Sequence, residues 1–484
     1  MKIAIIGCGY GGALVLKRLL DKYDSCLTID VYDENGSVGR GYAYQVDDGS
    51  NLLNRPASLM YFSEKGDFKR WLASNSDEYV ARRLFGNFVN SALTAAIERS
   101  CRAPRFLKER VVSVDEAVDG VSVTARTRRD YDAAILATGN EAPKDAYGLS
   151  GLKGFIADPY PTSQFRQSAS GEIAVLGARL SAIDAAVAIL DRDDGRRVTL
   201  YSRKSGLPLS SDTYEHITLV SLSEELLRGR VLDRGLKLTD VARIIDLEFE
   251  AQGVPITVGR MLRSSAWQRD QNLKRRIYSI LASMNNLAPI FWDALTAEEA
   301  LRFKKTWSSI WNAARVPVPP QKRERVDAYM ASGRLIFRQG LQSVGGDKGG
   351  FTLKTRQGVF RADFLVNATG PSPTLESPLY SSMFKSGAAQ PHEFGGLQVD
   401  IDTCRVIGKG EGSSLFSLGH PTAGAFFSAS NIDIIQTQAH RIALAIGKLT
   451  TGREATFEQS RNGPPNTMIF SHAAPADLGR GVGP

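Results

Sequence analysis

The residues best placed to do chemistry in this sequence are glycines. Gly7, Gly9 and Gly12 form G-x-G-x-x-G, with Tyr10 and Gly11 inside it, directly after the apolar run Ile3-Ala4-Ile5-Ile6. At that spacing the first glycine makes a tight turn and the second lets the backbone approach a pyrophosphate. The third lets a helix pack closely on the strand, and free N–H groups at the helix start face the anion. Asp33 stands 21 residues beyond Gly12, with Glu34 behind it, where a carboxylate is expected to meet a ribose. A second turn at Gly177, with Arg179, Leu180 and Ser181, follows Ile173-Ala174-Val175-Leu176. The strand after it ends in Ser202, Arg203 and Lys204, and cations there suit a ribose 2′-phosphate. Two Ala-Thr-Gly segments, Ala137-Thr138-Gly139 and Ala368-Thr369-Gly370, end apolar runs. Small residues at such a strand end let the backbone come close to a bound dinucleotide.

The elements that must position these residues follow from periodicity. Strands are expected at 27–33, 107–114, 121–128, 132–137, 198–204 and 335–337, then at 351–355, 359–360, 363–366 and 414–420, with Gly419 at the end of the last. Helices are expected at 13–20, 67–72, 80–99, 182–190, 238–252, 272–284 and about 431–448. Between the first two units lies a glycine-rich loop, Gly39-Arg40-Gly41-Tyr42-Ala43-Tyr44. It runs into a segment of alternating amides and apolar residues, including Asn51, Leu53, Asn54 and Met60, which suits a ligand-lining wall. Residues 216–315 read as a mostly helical insert, with Trp307 and Trp311 expected in its core, and 316–320 as a stiff proline-rich connector. The domain plan is 1–160 and 331–450 for the first nucleotide-binding domain and 161–330 for the second. A loosely ordered tail is expected over 451–484, rich in Gly, Pro and Ser.

Composition narrows the function classes. At 484 residues two or three domains are expected. The net charge of +8 is spread along the chain rather than gathered in a tract, so nucleic acid is not the expected partner. Four cysteines stand far apart with no C-x-x-C, and five scattered histidines lack metal-ligand spacing, which argues against a dithiol relay or a metal site. No apolar run is long enough to span a membrane. The strand-turn-helix logic of the N-terminus argues against a cleaved leader, so a cytoplasmic location is expected.

Taken together, the motifs resemble the two-dinucleotide flavoproteins. More narrowly they are similar to an FAD/NAD(P)-binding family with G-x-G-x-x-G, a G-x-G-x-A-Y loop and an L-L-N-x-P-A segment. Here these are residues 7–12, 39–44 and Leu52-Leu53-Asn54-Arg55-Pro56-Ala57. Asp158-Pro159-Tyr160, residues 177–184, 202–208, Arg315-Val316-Pro317 and 367–371 extend the similarity over roughly residues 1–450. The resemblance implies an α/β protein with two Rossmann-like domains, one for FAD and one for NAD(P)H, and a helical insertion. Asn51, Asn54 and Met60 are then candidates beside the flavin ring, with N–H groups of Asn431 and Ile432 from the last helix. One departure is Arg179, which stands where the second turn should have its middle glycine. It either pairs with phosphates or weakens nicotinamide binding; the surviving Ser-Arg-Lys strand end favours retention, and hence NADPH. Some members of the family hydroxylate amino groups. The expected reaction is therefore NADPH-driven reduction of FAD and transfer of one oxygen from dioxygen, through a peroxyflavin, to an amine or amino acid. The alternatives are a flavin reductase or oxidase without oxygen insertion, and a non-catalytic FAD-binding sensor.

Overall fold

The computed structural model describes residues 1–461 except 37, 74–78, 118–119, 168–170, 193–194, 205, 209–216, 231–234, 265 and 411–412. Two five-stranded parallel sheets organise the chain. The first runs Leu415–Ser417, Ala133–Leu136, Lys2–Ile6, Thr28–Tyr32, Arg105–Leu107. The second runs Leu335–Gln339, Arg197–Ser202, Glu172–Leu176, Phe364–Asn367, Phe155–Ile156. Parallel strands are covered on both faces, which is why their central members read as unbroken apolar runs. Ile3, Ala4 and Ile5 are fully buried, and the helix Tyr10–Tyr23 lays Leu14, Val15, Leu16 and Leu19 against them. Burial of each such aliphatic side chain stabilises the domain by roughly 1.5–3 kcal/mol.

The two halves repeat one another bond for bond. Gly7 N–H donates to Tyr32 O at 2.8 Å, and Gly177 N–H to Tyr201 O at 2.8 Å. Ala137 N–H donates to Ile6 O at 2.8 Å, and Ala368 N–H to Leu176 O at 3.0 Å. In each half a three-stranded antiparallel meander, Ser113–Ala117 to Arg128–Tyr131 or Leu341–Asp347 to Gly358–Ala362, precedes the strand that ends in Ala-Thr-Gly.

This duplication moves a boundary. The stretch 335–367 was expected in the first domain, yet its outer strands, Leu335–Gln339 and Phe364–Asn367, pair in the second sheet, and the three strands between them form the separate meander. Parallel strands pair by register with Arg197–Ser202 and Glu172–Leu176, and that pairing is not visible in local periodicity. Leu341–Asp347 is a strand the alternation rule did not reveal, since its Gly345-Gly346 pair interrupts the pattern. The proline-rich connector also resolves differently: Pro320 opens the helix Pro320–Ala331, where a proline costs no intrahelical hydrogen bond. The last helix, Ile432–Arg461, continues past the point where the tail was expected to begin, and 462–484 lie outside the described residues. No helix of the described residues is long and apolar enough to cross a membrane.

Between Arg197–Ser202 and Leu335–Gln339 the insert supplies, among the described residues, seven α-helices from Glu224–Arg230 to Ser308–Arg315 before Pro320–Ala331. It docks on the first domain through Trp292 Nε1–H to Gly424 O at 2.7 Å, Lys304 Nζ to Phe394 O at 2.6 Å, and Asn285 Nδ2 to Asp433 Oδ2 at 3.2 Å.

Candidate functional site: a cavity shared by two nucleotide-binding turns

The glycine spacing is explained by contacts. A Cβ on Gly7 would lie 2.4 Å from Ala137 O, and one on Gly177 would lie 2.5 Å from Ala368 O. A Cβ on Gly12 would meet Gly7 O at 2.0 Å. Each turn is thus pressed against the Ala-Thr-Gly strand end of its own sheet. The helices after the turns, Tyr10–Tyr23 and Leu180–Leu190, have neither a capping side chain nor an acid in the first turn. Their leading N–H groups stay available to an anion.

Around the first turn lies a cavity of about 640 Å³ at the C-terminal ends of the parallel strands, the usual place for a nucleotide in such sheets. Gly7, Gly9, Asp33, Glu34, Gly41, Ala137, Thr138 and Gly139 all line it. Asp33 accepts from Cys8 N–H at 3.1 Å through Oδ2 and from Asn35 N–H at 3.2 Å through Oδ1, which locks the carboxylate at the strand end. Burial pushes the Cys8 thiol up to about 12, so it stays protonated. Tyr380, absent from the expected set, joins Thr138 Oγ1 at 2.5 Å and walls the same space.

A second cavity of about 330 Å³ adjoins it, sharing Tyr42, Gln45, Asn140 and Glu141. It gathers Asn51, Leu53, Asn54, Met60, Asn431 and Ile432 from the first domain and Leu180, Ser181 and Gly370 from the second. Residues more than 370 positions apart in sequence therefore face one space. Asn51 is 2% exposed. Its Nδ2 donates to Asp47 Oδ2 at 2.8 Å and to Thr162 Oγ1 at 2.6 Å. Because the Asp47 carboxylate can only accept, the amide is oriented and Oδ1 is left buried with no protein donor. An orphaned acceptor in this position fits the imide N–H of a flavin. The Gly9 cradle against Gly41, with 3.3 Å for any Cβ, fits the pyrophosphate. The site's residues match FAD.

Some expected residues do other work. Tyr10 sends its side chain into the core, where its hydroxyl donates to Tyr61 O at 2.9 Å and accepts from Gln436 Nε2 at 2.8 Å. Only its backbone belongs to the turn. Gly11 packs against Leu418, and Gly419 N–H is taken by Gln438 Oε1 at 2.9 Å. Thr369 is exposed, with its hydroxyl on Asn367 Oδ1 at 2.8 Å. Ser202 is buried while Arg203 and Lys204 are exposed at the end of Arg197–Ser202; none of the three lines either cavity. Arg179 sends Nη2 to Ser309 O at 2.7 Å and to Ser309 Oγ at 3.1 Å, tying the turn to the insert. Its backbone is extended, as Gly9's is, so the residue change strains nothing.

Sequence reasoning missed the charged seam between the domains. Asp184, 1% exposed on Leu180–Leu190, meets Arg82 Nη2 at 2.8 Å, accepts from Tyr160 Oη at 2.6 Å and bonds Lys322 Nζ. Burial pushes its carboxyl up, but Arg82 and Lys322 outweigh that and hold it below the usual carboxylate range. A lone Asp inside Leu-Ser-Ala-Ile-Asp-Ala-Ala-Val was the available signal. Arg55, the variable position of the Leu-Leu-Asn-x-Pro-Ala segment, pairs with Asp433 at 3.0 Å beside the smaller cavity.

Residues 4–141 match the model of a family described as FAD-NAD(P)-binding. No curated protein sequence gives a match. Among solved structures, the L-lysine 6-monooxygenase of Pseudomonas syringae is 15% identical with a TM-score of 0.60, over 92% of this chain and 99% of that one. An ornithine N-hydroxylase of Kutzneria sp. 744, solved with reduced FAD, NADP+ and L-ornithine, is 14% identical with a TM-score of 0.55, over 92% and 98%. A bacillithiol disulfide reductase of Bacillus cereus is 14% identical with a TM-score of 0.52, over 93% and 99%. At these identities the likeness defines the fold alone, which is a two-dinucleotide FAD/NAD(P)-binding fold.

Proposed function

We propose that this protein is an FAD-dependent NADPH oxidoreductase that inserts one oxygen atom into an amine or amino acid. The observation that carries the reading is the 330 Å³ cavity in which Asn51 and Met60 of the first domain face Leu180 and Ser181 of the second. Such a space lets a nicotinamide held at the second turn reach a flavin held at the first. Bound FAD, reduced by NADPH, supplies the redox chemistry with dioxygen. Gly9 and the leading N–H groups of Tyr10–Tyr23 bind the FAD pyrophosphate, and Asp33 binds the ribose. Asn51 Oδ1 orients the ring. Arg203 and Lys204 take the NADPH 2′-phosphate. Leu53, Met60 and Ile432, all buried, exclude water from the ring's surroundings and favour the neutral, nucleophilic form of an amine.

The fold is shared with lysine and ornithine hydroxylases and equally with a disulfide reductase. A reductase without oxygen insertion is therefore the second reading. Against a dithiol version of it, Cys8 and Cys404 are buried and burial pushes both thiols up to about 12. The deciding experiment is turnover under labelled dioxygen with NADPH across amines and amino acids, followed by product mass. Incorporation of one labelled oxygen is expected. Peroxide as the sole product across the panel would leave the reductase or oxidase reading.

A further inference from the structure

A third cavity, of about 250 Å³, lies inside the helical insert and shares no lining residue with the two nucleotide cavities. Its walls are apolar, formed by residues such as Ile245, Leu281, Met284 and Phe291. Three arginines line it, Arg263, Arg302 and Arg315, and no aspartate or glutamate does. Trp311, expected in the insert's core, packs half-buried against it, whereas Trp307, also expected there, is not among the residues packed on that core; both line this cavity.

Arg263 and Arg302 are exposed, whereas Arg315 is 9% exposed. Its guanidinium reaches only neutral acceptors: Nη1 donates to Asn285 Oδ1 at 2.7 Å and Nη2 to Ser428 Oγ. Among the described residues it makes no ion pair, and its Nε–H is buried without an acceptor. The indole N–H of Trp311 is buried without an acceptor as well. Both residues sit on the helix Ser308–Arg315, four positions apart and therefore on one face. Two orphaned donors, one of them cationic, each cost free energy until an acceptor arrives, and a buried cation recovers most by meeting an anion.

We propose that this cavity binds a small apolar monocarboxylic acid, its carboxylate on Arg315 Nε–H and Trp311 Nε1–H and its hydrocarbon body among the insert's aliphatic and aromatic side chains. Two donors match the two oxygens of a carboxylate, and the exposed arginines at the rim draw the anion in. The volume, below the roughly 300–1,000 Å³ of sites for drug-sized ligands, restricts the guest to a short acid. An amine would meet three arginines and no carboxylate here. Inorganic phosphate would lose its hydration against apolar walls. The site stands apart from the oxygen-insertion reading, because its occupancy requires neither NADPH nor dioxygen.

The test is calorimetric titration of the FAD-loaded full chain with octanoate and 4-phenylbutyrate, using octylamine, octanol and inorganic phosphate as controls. Fluorescence of Trp292, Trp307 and Trp311, which all line the cavity, gives a second readout. Saturable binding of both acids is expected, with no binding of octylamine or phosphate. Arg315→Met should weaken octanoate at least about tenfold, and Trp311→Phe several-fold. Arg315 also bridges Asn285 and Ser428, so that variant risks misfolding. Ala242→Phe fills the cavity from Leu238–Ala251 and leaves both donors intact; it should abolish acid binding while FAD content is unchanged. A flat titration of the unaltered protein would overturn the proposal and leave a water-filled cavity. Equal binding of octylamine, or octanoate affinity unchanged in Ala242→Phe, would overturn it too.

Discussion

At the scale of single residues, the first nucleotide site depends on backbone contacts that tolerate no side chain. Gly41 has φ +55° and a Cβ there would stand 2.7 Å from Gly9 Cα. Gly41→Ala therefore adds about 1–2 kcal/mol of left-handed strain to a clash with the turn. The purified variant is expected to carry less than about a tenth of the wild-type FAD, measured as flavin released on denaturation; full FAD content would mean the turn does not hold the pyrophosphate. Asn51 tests the other end of the cofactor. Asn51→Leu removes the orphaned acceptor and should weaken FAD by about 1–3 kcal/mol, read from equilibrium binding to the apoprotein. An unchanged affinity would show that Oδ1 does not meet the ring.

At the scale of elements, the two strand-turn-helix units differ at the residue that leads each turn into its helix. The first helix opens on Gly9 and the second on Arg179, yet both backbones are extended and both helices start with uncapped N–H groups. Arg179 carries a structural duty, since it ties the second turn to Ser309 at the head of the insert's last helix. In the proposed reading, nucleotide choice rests on the two exposed cations after the strand Arg197–Ser202. Arg203→Ala is expected to cost NADPH about 1–3 kcal/mol of binding and NADH almost nothing. Rapid-mixing reduction of the flavin over a range of each nucleotide measures this, and equal losses for both would remove Arg203 from the 2′-phosphate site.

At the scale of the whole molecule, Asp184 joins the domains. It sits on the second domain's first helix and meets Arg82 from the first domain and Lys322 from beyond the insert. Asp184→Asn leaves the buried Lys322 and the partly buried Arg82 poorly compensated, a loss of about 3–5 kcal/mol, visible as a lower denaturant midpoint. The sign of the pH dependence comes from its depressed pKa. The unfolded carboxyl titrates near about 3.9, so the stabilisation is fully present above that value and is lost as pH falls through the lower folded value. Wild-type stability should therefore drop more steeply in acid than that of Asp184→Asn. Parallel acid limbs for the two proteins would count against this assignment.

The sequence by itself determined the local units: both glycine turns, both Ala-Thr-Gly strand ends, the acid at Asp33 and the helical character of the insert. Each is encoded by residues adjacent in the chain, where steric demands on glycine and apolar periodicity act directly. It also marked Asn51, Asn54, Met60, Asn431 and Ile432, which the fold brings to one cavity with Leu180 and Ser181. Only the tertiary structure decided the rest. Strands Leu335–Gln339 and Phe364–Asn367 joined the second sheet because strand pairing depends on register between distant segments. Tyr10 turned inward because Tyr61 and Gln436, from remote parts of the chain, satisfy its hydroxyl. The lone Asp184 in its apolar helix gives no hint of its partners, and the orphaned donors of Trp311 and Arg315 have no local signature, since a charge becomes costly or useful only once packing has removed its water.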